Sequence, residues 1–189
     1  MRRAAAAIRG GGVAGIPTDT VYGLAADPFR REAVERLFRL KGRPESKPIL
    51  LLVESVRQIE GLVSAFPEGF ERLAARFWPG PLTMILPAAR RVPEWITAGT
   101  GTVAVRAPGS VLTRELVRAA RVPLTGTSAN RSGRPAARTA DEVRRQFPRG
   151  LALIVDGGRA RSAAPSTLVD LTGGELRVVR EGAIPADML

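Results

Sequence analysis

The sequence predicts an α/β domain, a twisted mixed β-sheet flanked by helices, on three observations. Apolar runs of strand length recur along the chain, segments of helical periodicity lie between them, and glycine- or proline-rich breaks separate the two. In chain order, Val13–Pro17 reads as a buried strand after the Gly10-Gly11-Gly12 break. Ala33, Val34, Leu37 and Phe38 fall at helical spacing, and Gly42-Arg43-Pro44 ends that helix. Ile49–Val53 is a continuous apolar run and a second buried strand. Helices follow near Val56–Leu62 and Glu68–Phe77, then the rigid turn Trp78-Pro79-Gly80-Pro81 leads into a strand at Leu82–Leu86. The second half alternates in the same way: strand Thr102–Arg106, helix Leu112–Ala120, strand Val122–Thr127, helix Ala140–Phe147 and strand Leu151–Val155, which stops at Asp156-Gly157-Gly158. Ser166–Asp170 and Glu175–Arg180 close the chain as strands with hairpin-like spacing, which makes the sheet mixed. Without repeats or linkers, 189 residues form a single domain, 1–189. Ligands of such sheets sit beside strand ends, where loops gather.

Composition narrows the chemistry. A hydrophobic share of 44% and a charged share of 25% are those of a globular protein. No apolar run approaches the roughly 18–20 residues of a membrane span. Met1-Arg2-Arg3 followed by alanines begins like a signal peptide, but Arg9 interrupts it early and no cleavage site follows, so a cytoplasmic protein is expected. There is no cysteine and no histidine. That removes thiolates, disulfides, imidazole bases and the usual ligands of a metal site, so no metal-binding residue is assigned. Carboxylates, hydroxyls, backbone donors and cations remain, which favours catalysis by positioning and electrostatics. The net charge of +11 suggests an anionic partner, whether nucleotide, nucleic acid or acidic surface, although a bias towards arginine would also produce it. Both lysines of the chain, Lys41 and Lys47, fall in one short segment, as if a compact ammonium were wanted there.

Four groups of polar residues adjoin predicted strands. Thr18-Asp19-Thr20-Val21-Tyr22-Gly23 follows the first strand and holds the chain's one tyrosine; a hydroxyl-stabilised turn would also explain it. In Lys41-Gly42-Arg43 through Lys47, Pro44 pushes Arg43 towards extended geometry, so Lys41 and Arg43 can converge on one anion with Lys47 reaching another oxygen. Complementing a helix C-terminus accounts for one of these cations and not for three. Thr125-Gly126-Thr127-Ser128-Ala129-Asn130 offers small residues whose backbone could cradle phosphate, or a plain capping turn. Thr102, Arg106, Ser166 and Arg180 lie on or end strands, and alternation places Thr102 and Arg106 on one face. Neither a P-loop nor a Gly-x-Gly-x-x-Gly motif occurs, and no RNA-recognition motif with stacking aromatics.

Taken in order, PTDTVYGLAAD, LKGRPESKPI, WPGPLT, TVAVRAP, PLTGTSANRSGRP, PSTLVD and VVREG resemble the YrdC/TsaC family of threonylcarbamoyl-AMP synthases, from Val13 to Gly182. The resemblance implies a YrdC-like fold around a large, positively charged cavity. It implies that ATP, L-threonine and bicarbonate are joined into threonylcarbamoyl adenylate and pyrophosphate. The product would pass to a tRNA threonylcarbamoyltransferase complex that modifies the adenosine beside the anticodon. Carried over by position, Thr20, Arg106, Gly126 and Ser166 are the threonine-binding residues. Arg43, Lys47, Thr102, Ser128, Asn130 and Arg180 bind ATP, with Lys41 and Arg43 as catalytic residues and Mg²⁺ accompanying the triphosphate. Three positions depart from the family pattern: Asp19 stands for a more frequent glutamate, Leu52 for a histidine of several relatives, and Ala136 for a serine. The chain ends soon after Gly182, as expected of a minimal form without an extra C-terminal domain. Two other readings remain open on the sequence. One is a non-enzymatic module binding tRNA or double-stranded RNA, weak tRNA contact being compatible with the charge. The other is a carbamoyltransferase-type domain.

Overall fold

The computed structural model describes residues 1–189 apart from 43, 45 and 163. Two mixed sheets are present where the sequence reading expected one. The chain runs α1 (Arg2–Arg9), β1 (Ala14–Ile16), β2 (Gly23–Ala25), α2 (Arg31–Lys41), β3 (Leu51–Leu52), α3 (Val56–Ile59), α4 (Phe70–Phe77), β4 (Leu82–Pro87) and α5 (Glu94–Thr97). It continues with β5 (Thr102–Arg106), α6 (Val111–Ala120), β6 (Leu124–Thr125), β7 (Thr127–Ser128), α7 (Ala140–Gln146), β8 (Leu153–Ile154), β9 (Thr167–Asp170) and β10 (Arg177–Arg180), and a 3₁₀ turn closes it. The smaller sheet has the order β7-β2-β1-β8 and the larger β10-β9-β4-β5-β3-β6. Parallel pairs (β1 with β8, β3 with β5, β4 with β9) mix with antiparallel ones in both.

One glycine splits a predicted strand and makes two sheets out of one. Val122–Thr127 was expected as a single strand, but its halves pair in different sheets: Leu124 and Thr125 with β3, Thr127 and Ser128 with β2. Gly126 lies between them and its N–H donates to Leu50 O at 2.7 Å. A Cβ there would meet Leu52 Cγ at 2.7 Å, so a side chain at the crossing would force Leu52 or the backbone to shift.

The helices follow local rules. On α2 the expected apolar face, Ala33, Val34, Leu37 and Phe38, is buried, and Glu35 pairs on the outer face with Arg31 and Arg39. Gly42, at φ 60°, ends the helix in the left-handed conformation. Ser110 caps α6 through the Thr113 N–H, and Thr139 caps α7 through the Glu142 N–H. The helix expected at Val56–Leu62 is a single turn, and the one at Glu68 begins at Phe70. Helix α1 was not expected: Ala4, Ala5 and Ile8 form its buried stripe, packed with Leu116, Val117 and Ala120 of α6. The larger core, built on Leu37, Leu51, Leu82, Met84 and Val105 among others, lies beneath the remaining helices. Among the described residues, no helix is long and apolar enough to cross a membrane.

Candidate functional site

A cavity of about 340 Å³ opens beside the strand ends. Its wall takes residues from both sheets: Thr20 after β1, Thr83 of β4, Thr102 and Arg106 of β5, Gly126 and Ser128 around the crossing, Ser166 before β9 and Arg180 of β10. Seven of the residues assigned from sequence therefore meet in one hollow, namely Thr20, Thr102, Arg106, Gly126, Ser128, Ser166 and Arg180. Alternation along β5 accounts for Thr102, Ala104 and Arg106 facing it together.

Arg106 is the buried cation of the site, 3% exposed. Its Nε donates to Gly80 O (2.9 Å) and its Nη1 to Thr20 Oγ1 (3.1 Å). Nη2 lies 2.7 Å from Asp19 Oδ1 as a close ion pair, and among the described residues neither atom has another partner. They touch as charges. Nε and Nη1 are thus engaged by hydrogen bonds, and Nη2 is engaged by the Asp19 carboxylate. Burial pushes the Arg106 pKa down, Asp19 opposes that shift and Arg180 adds to it. A guanidinium remains charged in a protein despite such a shift.

Thr18 and Thr20 divide the two roles weighed for their segment. Thr18 Oγ1 donates to Val21 O (2.6 Å) and accepts from the Thr20 N–H (3.2 Å), forming the hydroxyl turn. Thr20 Oγ1 is thereby presented to Arg106. Opposite, Ser166 Oγ pairs with Thr83 Oγ1 at 2.8 Å, and Arg180 Nη2 donates to Ser166 O at 2.8 Å. Desolvation lowers the Arg180 pKa too.

Three residues escaped the sequence assignment. Thr83 left a signal, a hydroxyl on the same face of β4 as the cavity-lining Ile85 within an apolar run. Asp19 was noted only as a departure. Tyr22, on the cavity wall and fully buried, donates its hydroxyl to Gly158 O (2.7 Å) and accepts from the Gly157 N–H (3.1 Å). It thereby fixes the Asp156–Gly158 turn, and burial raises its pKa.

The remaining assignments lie elsewhere. Lys47 is exposed and Asn130 half-buried; neither forms the cavity wall, although Pro48 does. Lys41 is buried behind the Ser128–Asn130 turn, with its ammonium on the oxygens of that turn. Arg43 lies outside the described residues. In the segment 125–133 suggested as a backbone cradle, the N–H groups of Gly126, Ala129 and Asn130 already donate to Leu50, Tyr22 and Ser128 carbonyls, and the Ser128 side chain adjoins the cavity. Among the described residues, no three carboxylates gather to hold a metal ion.

Comparison with known proteins adds an independent line. Residues 6–182 match the Sua5/YciO/YrdC family profile, described as "Telomere recombination". A threonylcarbamoyl-AMP synthase of Pyrococcus abyssi is 41% identical over 187 residues, 99% of this chain and 55% of the relative, so the chain spans about half of that protein's length. One from Pseudomonas putida is 40% identical over 182 residues, covering 96% of this chain and 97% of its own. Among solved structures, P. abyssi Sua5 complexed with L-threonine superposes with a TM-score of 0.96 at 41% identity, covering 99% of this chain and 55% of that one.

Proposed function

The chain belongs to the Sua5/YciO/YrdC family, among its threonylcarbamoyl-AMP synthases, and on that premise we propose how its cavity joins L-threonine, bicarbonate and ATP. The carrying observation is Arg106, a buried guanidinium paired with Asp19 on the wall of a hollow that Arg180 also lines.

The threonine amine forms a bond to the bicarbonate carbon, the bond from that carbon to its hydroxyl oxygen breaks, and water leaves to give a carbamate. One carbamate oxygen forms a bond to the α-phosphorus of ATP, the bond from that phosphorus to the bridging oxygen breaks, and pyrophosphate leaves with the electron pair. A carbamate is already anionic and needs no base, in keeping with a chain that has no histidine. It does need relief from repulsion against the triphosphate, and fixed cations supply it without reorganising. Arg106 and Thr20 receive the threonine carboxylate, with Ser166 and the Gly126 backbone around the amino acid. Arg180, Thr102 and Ser128 take the nucleotide side, and Arg43, Lys47 and Asn130 are assigned to the nucleotide with them on the family pattern. Two arginines on the described wall support a positively charged cavity. Among the described residues no three carboxylates gather to hold a metal ion, so magnesium would come with the triphosphate and would supply neutralisation of its charge. The product is consumed by the cytoplasmic tRNA threonylcarbamoyltransferase complex.

The experiment is pyrophosphate release with threonine and bicarbonate each omitted in turn, with the product's mass measured. Release that needs all three substrates and an adduct of threonylcarbamate with AMP are expected. Pyrophosphate release indifferent to threonine would remove the proposal. Salt-sensitive RNA binding with no ATP consumption would leave the RNA-binding module instead.

A further inference from the structure

Lys41 ends α2 and is 4% exposed. Its ammonium donates to Ser128 O at 2.5 Å, Asn130 O at 2.9 Å and Asn130 Oδ1 at 3.1 Å. These are three oxygens for three N–H donors. Its own carbonyl accepts from the Ser132 N–H at 2.8 Å. One residue thus holds both ends of the turn 128–132, by side chain at one end and by backbone at the other. The hold extends further: Ser128 Oγ donates to Asn130 Oδ1 (2.5 Å), and Asn130 Nδ2 donates to Arg134 O (2.6 Å).

A buried ammonium is tolerable only when its protons are taken, and here the oxygens of the turn take them. Turning it towards a phosphate would strip three acceptors to satisfy one anion. The fit is particular to lysine, since a compact ammonium suits three converging oxygens and a planar guanidinium does not. Ser128 is on the cavity wall, so wherever Lys41 holds the turn, it also holds a wall of the site.

We propose that Lys41 is a positioning residue: it sets the Ser128–Ser132 turn against the nucleotide and does not itself touch the triphosphate. This rests on the nucleotide reading of the cavity. The test is equilibrium binding of AMP, ADP and ATP to wild type, Lys41→Met and Lys41→Arg, with unfolding midpoints recorded. A misplaced turn weakens all three nucleotides by one common factor, about tenfold or more, the scale of one well-placed hydrogen bond. Lys41→Arg, charged but misshapen, fails as Lys41→Met does, and the KM for threonine stays within about twofold in both, a change worth only a few tenths of a kcal/mol. A loss that grows from AMP to ATP, or Lys41→Arg binding like wild type, overturns the proposal. Should neither variant fold, hydrogen exchange on wild type decides. Protection at 128–132 is expected to hold or rise with ATP, and a turn that loosens on binding ATP overturns it. Wild type that binds no adenine nucleotide would instead remove the nucleotide reading itself.

Discussion

Arg106 Nη2 and Asp19 Oδ1 lie 2.7 Å apart, a close ion pair inside the protein. Gly80 O and Thr20 Oγ1 orient the guanidinium, and the Asp19 carboxylate balances its charge. Removing the balancing charge alters how Arg106 sits more than whether it is present. Asp19→Asn is therefore expected to raise the KM for threonine by roughly tenfold, about 1.4 kcal/mol, with kcat changed much less. Steady-state kinetics in threonine at saturating ATP would show it, and an unchanged KM would mean that Asp19 plays no part in binding.

Gly126 permits the crossing between sheets, and its missing side chain is also what leaves room beside Leu52. With a Cβ 2.7 Å from Leu52 Cγ, Gly126→Ala must push a 1%-exposed leucine off its place or shift the cavity wall. Overpacking of this kind costs about 1–3 kcal/mol. The expected result is a protein that folds with a lowered denaturant midpoint and loses at least tenfold in kcat/KM for threonine, with a smaller effect on ATP. Equal losses for both substrates would place the strain elsewhere.

Much of this site could be read from the chain and some could not, for identifiable reasons. Thr102 and Arg106 followed from alternation, which is local. The helix at Ala33–Phe38 and its stop at Gly42 followed from spacing and from the need for a left-handed residue. Helix α1 was hidden because Arg2, Arg3 and the alanines read as the start of a leader, and its stripe of Ala4, Ala5 and Ile8 gains meaning only against α6. Strand β2 was hidden inside a segment read as a turn, because Thr18 does make that turn two residues before the chain straightens. The grip of Lys41 joins residues 87 and 89 apart in sequence, which no local pattern reveals. Segment spacing and the family resemblance had suggested that this lysine serves an incoming anion; its burial and three protein oxygens are the ground for the positioning role proposed above.

Tyr22 joins the cavity to the Asp156–Gly158 turn through a single hydroxyl that both donates and accepts. Tyr22→Phe keeps the ring in the core and leaves the Gly157 N–H and Gly158 O without that partner. A destabilisation of about 1–3 kcal/mol is expected from chemical denaturation, together with faster hydrogen exchange at Gly157. Unchanged exchange there would show that the turn is held by other contacts.

Asp170 makes the hairpin of β9 and β10 depend on pH. Its side chain is 16% exposed, and burial alone would raise its pKa. Two hydrogen bonds from Thr172 to Oδ1 (2.9 and 2.7 Å) and one from Arg177 to Oδ2 (2.9 Å) outweigh that and hold the carboxyl below its ordinary value of 3.8. The folded state thus favours the charged form. The stabilisation is fully present above the unfolded value and is lost as pH falls through the lowered folded one. Asp170→Asn is expected to lower stability by about 1–2 kcal/mol at neutral pH, with the gap from wild type closing as pH drops below 3.8. Denaturant midpoints of the two proteins at pH values from about 7 to about 3 test this over the range where an ordinary carboxyl titrates. Because β10 carries Arg180 to the cavity, the same variant should also raise the KM for ATP at neutral pH. A stability gap that stays constant across the titration would mean that the Asp170 contacts contribute as neutral hydrogen bonds and that its charge contributes nothing.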